Sequence, residues 1–277
     1  MSETQKVGNE SIAIQASGNV SIGLGYRDIK DICNDLFNNN FPQLVAEASK
    51  IASENLLKYI ACLESKLNDI EKTKITESLK TPNGQYILNE SIQNAARFGN
   101  KIDISLLCET TKQALLNEDN SLSQSFYLAS QIIPQLNKEQ LLMVLASFYI
   151  SFLSVTTPDP REIEAYAAVL FSDFTEFPKL HYGTKYNMVS LGVYSFNQFT
   201  GGDAYTIFKE KYTDEYLEKV IKLYESGEMP TVKKIIDFYN SNELIQFPLC
   251  PVAHAIGYIL AKNKLGEIPI TLLTNNL

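Results

Sequence analysis

From Ile29 almost to the C-terminus, apolar residues return every three or four positions, the period of a helix face and not of a strand. A chain patterned this way has to bury helical stripes against one another, so the expected fold is a mainly α, multi-helix bundle. Ile29, Ile32, Cys33, Leu36 and Phe37 form a first stripe, Asn38-Asn39-Asn40 breaks it, and Pro42 sits where the first turn of a second helix begins. That second helix carries Val45, Ala48, Ala52, Leu56, Ile60, Leu63, Leu67 and Ile70 in a line that fits either a coiled-coil seam or one long bundle helix. Thr81-Pro82-Asn83-Gly84 reads as a turn, followed by helices over 85–98, 103–117 and 121–133, with Gly99 ending the first of them. Asn137-Lys138-Glu139-Gln140 is a capping-box pattern, and it opens an apolar helix whose Leu141, Leu142, Leu145, Phe148, Tyr149 and Phe152 are expected in the central core. The clearest interruption is Thr156-Thr157-Pro158-Asp159-Pro160. Helices are expected over 161–172 and 203–225 and from Pro251 to Leu265, closed by Gly266, while 177–202, rich in Tyr, Gly and Asn, is ambiguous between helix and loop.

The N-terminus obeys a different rule. Gly8-Asn9-Glu10-Ser11-Ile12-Ala13-Ile14 is echoed ten residues later by Gly18-Asn19-Val20-Ser21-Ile22-Gly23-Leu24. Apolar and small polar residues alternate within each copy, the period-2 pattern of a strand. Two geometries fit. In a β-hairpin, Ala16-Ser17-Gly18 forms a three-residue loop and sets Ile14 opposite Val20 and Ile12 opposite Ile22. In a stacked-strand segment, Asn9 lies over Asn19, Ile12 over Ile22 and Ile14 over Leu24. Either way, two short strands leave open edges and need another surface. The expected organisation is an N-terminal β-forming assembly segment at 1–25, a helical bundle at 26–157 and a C-terminal helical part at 158–277 on the same core.

Net charge is −8 and the lysines are scattered, which argues against nucleic acid, since phosphate neutralisation needs a dense basic face. Cys33, Cys62, Cys108 and Cys250 are widely spaced without a Cys-x-x-Cys, so neither a zinc site nor a redox pair is indicated. No metal-ligand spacing occurs, and no metal or other cofactor is expected. MSETQKVGNE lacks a basic region and an apolar run, and no stretch approaches the roughly 20 apolar residues of a membrane span. The expected location is the cytoplasm.

Chemistry has few candidates. His181 and His254 are the only histidines, and His254 comes after Cys250 at i+4 with Pro251 between them. A thiol–imidazole pair needs an activated thiolate, and this spacing gives it little support. Glu162, Glu164, Asp173 and Glu176 read as charges on a solvated helix face. Gly23-Leu24-Gly25 lacks the third glycine of a nucleotide fingerprint, and Gly201-Gly202-Asp203 reads as a loop ending in a helix cap. The aromatic residues Tyr182, Tyr186, Tyr194, Phe196, Phe199, Tyr205, Phe208 and Tyr212 suit either a ligand pocket or partner surface or, the favoured role, core packing; His181, Tyr182, Tyr186, Tyr194 and Phe199 are the candidates for such a surface.

The Gly-Asn and Ile-Gln strand pattern, Asn40-Phe41-Pro42 before an Ala-containing helix, the apolar helix after Leu136 and the glycine-bearing C-terminal helix together resemble an uncharacterised bacterial helical family of this length, found near mobile or defence genes. That resemblance implies no catalytic residues. Ile14-Gln15-Ala16, then Ser17 and Gly18-Asn19-Val20, is similar to the amyloid-type homotypic interaction motifs of immune signalling proteins. Self-association is therefore expected at Ile12, Ile14, Gln15, Gly18, Asn19, Val20, Ile22 and Leu24. The expected function is a non-enzymatic, self-assembling interaction protein of bacterial anti-phage defence, with itself or another protein as partner. A small-molecule or peptide sensor, with a pocket in the helical body lined by the 182–212 aromatics, is the alternative, and an unrecognised hydrolase using His181 or His254 the third reading.

Overall fold

A computed structural model describes residues 26–68, 70, 72–117, 119–154, 159–212 and 214–266, with side chains in the first helix from Ala46 onward. The N-terminal repeat and its eight candidate self-association residues lie outside the described residues. In order, the helices are α1 (Tyr26–Leu67), α2 (Lys72–Lys80), α3 (Pro82–Phe98), α4 (Ile104–Leu116), α5 (Asn120–Ile132), α6 (Lys138–Ser151), α7 (Glu162–Leu170), α8 (Tyr182–Ser190), α9 (Ala204–Glu210), α10 (Asp214–Glu225), α11 (Pro230–Ser241) and α12 (Pro251–Leu265). The chain is mainly helical, as its periodicity demands. It forms two compact units, residues 1–51 and 52–277. The described part of the first unit is the beginning of α1, and the second unit holds the rest of α1 and the helices after it.

Local rules place most helix ends. Thr81 accepts from the Gly84 N–H at 2.9 Å, and Pro82 occupies the first turn of α3. Gly99 closes α3 at φ 46°, and a Cβ there would collide with the Asn55 side chain. Asn55 is buried and donates from Nδ2 to the Ala96 carbonyl at 3.2 Å, satisfying one of the last carbonyls of α3. Asp103 and Asp119 cap α4 and α5. At α6 the capping box is complete: Asn137 Oδ1 accepts from the Gln140 N–H, and Gln140 Oε1 from the Asn137 N–H, both at 2.9 Å.

Three expectations fail at helix breaks. Thr81-Pro82-Asn83-Gly84 is not a separate turn but the N-cap and first turn of α3, because Thr81 caps the helix and the proline ring fits its first turn. α1 runs without interruption through Asn38 to Pro42. A proline inside a helix costs about 3 kcal/mol, but it deletes only one backbone donor, whereas a break exposes a set of orphans at each new terminus. The expected helix over 203–225 is in fact two, α9 and α10. Lys211, at their junction, donates from Nζ to the carbonyls of Tyr149 (2.6 Å) and Leu153 (2.8 Å) at the end of α6. Phe208 and Tyr212 bury on either side of it. Burial pushes its ammonium down to about 7. Three rings, those of Phe208, Tyr149 and Tyr212, lie 4.6, 4.8 and 5.9 Å from it and help hold the charge.

α6 is the centre of the core. Every residue from Leu142 to Ile150 is buried, so this helix has no water-facing side and needs neighbours all round. α12, α8, α9 and α11 pack on it. α12 is nearly as deep, buried from Val252 to Ile259, and comes closest at Gly257, where a Cβ would stand 2.6 Å from Phe148 Cβ. A smaller cluster around Tyr59, Leu63, Ala95, Leu107 and Cys108 secures the later part of α1. There the Tyr59 hydroxyl donates to Thr111 Oγ1 at 3.2 Å, so its polar tip is satisfied inside the core. The ambiguous stretch 177–202 resolves into α8 followed by an extended run. Tyr194 forms an antiparallel bridge with Leu249, flanked by the Ser195 N–H to Pro248 O and Cys250 N–H to Val193 O bonds, each 3.0 Å.

Among the described residues no helix is long and apolar enough to cross a membrane. Gly257→Ala is expected to lower unfolding free energy by about 1–3 kcal/mol, because Phe148 Cβ is fixed to backbone and cannot rotate away; urea denaturation followed by circular dichroism measures it. His254 is buried in α12 with its ring 4.3 Å from that of Phe152, and burial pushes its pKa down to about 4. Above pH 6.5 the imidazole is neutral in both states and contributes no pH dependence. As pH falls from 6.5 to about 4 the unfolded chain takes up the proton first, so stability declines, by about 2 kcal/mol after allowing for partial solvent screening. His254→Gln is expected to flatten that part of the stability–pH curve.

Candidate interaction surface and cleft

α8 begins where His181 Nδ1 accepts from the Gly183 N–H at 3.0 Å, an N-cap made by an imidazole. Tyr182 and Tyr186 come next, one turn apart on its outer face, with ring centroids separated by 6.4 Å. Tyr186 meets Phe196 (5.3 Å) and Phe247 (5.8 Å) edge-on. Tyr182, Tyr186 and Phe196 remain exposed, and Phe199 on the loop beyond is 88% exposed. His181, Tyr182 and Tyr186 are thus gathered on one short helix, and Phe196, another of the aromatic residues singled out in 182–212, joins them. Tyr194 is elsewhere: it is core, 1% exposed, and its hydroxyl donates to Ser147 Oγ at 3.2 Å.

The support beneath this aromatic face is ionic. Lys185 is 2% exposed and donates from Nζ to the Asn242 carbonyl at 2.9 Å. Its ammonium lies 4.2 Å from the Tyr182 ring centroid and 5.2 Å from that of Phe247. Burial pushes this ammonium below the ordinary lysine range, while the Glu243 carboxylate works in the opposite direction. Glu243 adopts the left-handed conformation (φ 56°) that ends α11 and accepts from the Tyr182 hydroxyl at 3.2 Å. Lys179 donates to the Ser241 carbonyl. Asn242, fully buried, accepts from the Leu180 N–H at 2.6 Å and donates to Phe238 O at 2.9 Å and Pro178 O at 3.2 Å. The last carbonyls of α11 are therefore satisfied by side chains that also hold α8 in place. A lysine and an asparagine at these positions carry no local signal of that role, because their partners lie about 60 residues away.

Neither histidine is arranged for nucleophilic catalysis. His181 spends Nδ1 on its helix cap. In the Cys250–His254 pair, burial pushes the thiol up and the imidazole down, so both groups are held neutral, the reverse of an activated thiolate facing an imidazolium. Among the described residues, no three His, Cys, Asp or Glu side chains converge as a metal site would require. Two of the four carboxylates read as a solvated face, Glu164 and Asp173, have more definite partners. Glu164 accepts from the Thr231 N–H (2.9 and 3.1 Å) and the Val232 N–H (3.1 Å), capping α11 from α7, and Asp173 pairs with Lys264 at 2.6 Å.

A cleft of about 440 Å³ lies away from the aromatic face. Its floor is apolar, with Ile133, Leu136, Leu141, Leu145, Leu170 and Phe174 among its lining, and Lys101, Asp103, Lys138, Asp173 and Lys264 stand around it. Sequence reasoning missed it because its walls come from four separated segments, each of which reads as ordinary helix face.

No curated protein and no solved structure matches the chain. Residues 23–229 match the model of an uncharacterised protein family. That stretch runs from just before α1 to just before α11, most of the described helices, and the chain belongs to that family.

Proposed function

We propose that this chain is a non-enzymatic interaction protein that assembles with copies of itself through its N-terminal repeat, and that it acts in bacterial anti-phage defence. The defence setting rests on the resemblance of Ile14-Gln15-Ala16 and Gly18-Asn19-Val20 to homotypic interaction motifs. The assembly reading is supported by that repeat and by one structural observation, which carries it. From Ala46 to Ile51 every residue of α1 is exposed, and Ile51, Leu57 and Ile60 present large aliphatic side chains to solvent. Helices draw most of their stability from packing an apolar face, so aliphatic side chains exposed along a 42-residue helix favour a second copy as their cover. The exposed rings of Tyr182, Tyr186, Phe196 and Phe199 supply a further surface of the composition that protein partners use.

A second reading, a sensor of small molecules, is favoured by the apolar cleft.

The assembly reading predicts that removing residues 1–24 lowers the mass of the purified protein in light scattering while its helical circular dichroism is retained. Ile14→Lys and Ile22→Lys are expected to act like the truncation, because a charge in a stacked apolar face is poorly solvated. Equal masses for the full and shortened chains would remove this reading.

A further inference from the structure

We propose that the cleft bordered by Leu136, Leu145 and Leu170 binds a small amphipathic carboxylate, its apolar body on the floor and its carboxylate at Lys101 and Lys138. This inference rests on the sensor reading and names the ligand class for it.

The floor supplies the first argument. Leu136, Leu145 and Leu170 are each below 10% exposed, yet they border about 440 Å³ of unfilled space. Protein interiors pack about as densely as organic crystals, and side chains facing a gap forfeit the dispersion contacts they would otherwise make. The volume falls within the range of small-ligand sites, about 300–1,000 Å³.

The rim supplies the second argument, and it sets the sign of the ligand. Asp103 is engaged by the Leu106 N–H at 3.0 Å, as the cap of α4. Asp173 is held by Lys264 at 2.6 Å, and Lys264 also reaches Ser172 Oγ at 3.3 Å. That leaves Lys101 and Lys138. Both are exposed, and among the described residues neither meets a carboxylate. Lys138 is the first residue of α6, where the amide dipoles add positive potential, and its ammonium stands 5.7 Å from the Phe174 ring centroid at the cleft wall. In a chain of net charge −8, a rim that sets three ammonium groups, Lys101, Lys138 and Lys264, against two carboxylates, Asp103 and Asp173, is a local reversal of sign. A carboxylate would gain a charge-assisted bond there; a neutral apolar molecule would not, and a cation would be repelled. Glu139 and Glu176 line an adjoining hollow of about 300 Å³ that shares Lys138 and Phe174. They disfavour an anion on that side and direct the carboxylate toward Lys101.

Isothermal titration of the full chain with decanoate, decanol and decylammonium tests this, since the three share an apolar body and differ in the head group. The expected result is saturable 1:1 binding of decanoate, about tenfold tighter than decanol, with no binding of decylammonium. Lys101→Glu combined with Lys138→Glu, two exposed positions, should abolish the decanoate advantage and leave decanol unchanged. Leu141→Trp, which fills the floor, should abolish both; the rim pair decides the matter if that variant does not fold. Equal affinity for decanoate and decanol would overturn the carboxylate assignment and leave the sensor reading standing. Decanoate binding unaffected by the rim pair would place the anion elsewhere and overturn the proposal. Absence of binding by all three compounds would overturn the proposal and remove the support that the cleft lends to the sensor reading.

Discussion

A helix with no face toward water dictates the arrangement around it. From Leu142 to Ile150, α6 buries every residue, so the surrounding helices are required to cover it, and α12 does so at a separation that only a glycine at 257 permits. Once these two helices are in contact, α4, α5 and α7 pack against α12, while α8, α9 and α11 pack against α6. The hydrophobic term is non-directional; direction comes from the shapes that let two backbones approach, and Gly257 against Phe148 is such a shape.

Burying so much helix creates a second problem, the polar groups at helix ends, and charged side chains from distant parts of the chain solve it. Lys211 serves the end of α6, Lys179 and Lys185 the end of α11, and Glu164 the start of α11. In each case the sign matches the helix dipole, cations on carbonyls and an anion on amides. Glu109 obeys related logic. Buried to 4% exposure in α4, it is held by Lys66 of α1 at 3.3 Å, Lys262 of α12 at 3.1 Å and Gln113 at 3.0 Å. Its burial alone would raise its pKa, but the Gln113 amide and the two ammonium groups outweigh this and hold the carboxyl below its ordinary range. Removal of one partner from such a group leaves a buried charge uncompensated.

What could be read in advance was local. Asn137 with Gln140, Gly99, and Gly266 after the last helix act within four or five residues, and each marks a real helix boundary. What could not be read depends on long-range partners. Lys211 breaks the helix expected over 203–225 for the sake of carbonyls about 60 residues earlier. Pro42 and the preceding asparagines carry a local stop signal that the continuity of α1 overrides. Tyr194 and Tyr186 look alike in the sequence, yet one is core and the other surface, because the bridge to Leu249 turns Tyr194 inward. The cleft was illegible for the same reason: its opposite walls, Lys101 and Lys264 among them, meet only after folding.

The bond between Lys66 Nζ and Asn263 Oδ1 joins positions 197 residues apart. Together with the Glu109 ion pairs it ties an early helix to the last described one. During synthesis the later part of α1 therefore waits for residue 263 to leave the ribosome before this contact can close. Until then Tyr59 and Leu63 rest on the apolar residues of α3 and α4, Ala95, Leu107 and Cys108 among them. Contacts of such long sequence separation slow folding, so this part of the early helix is the last to gain its full set of neighbours.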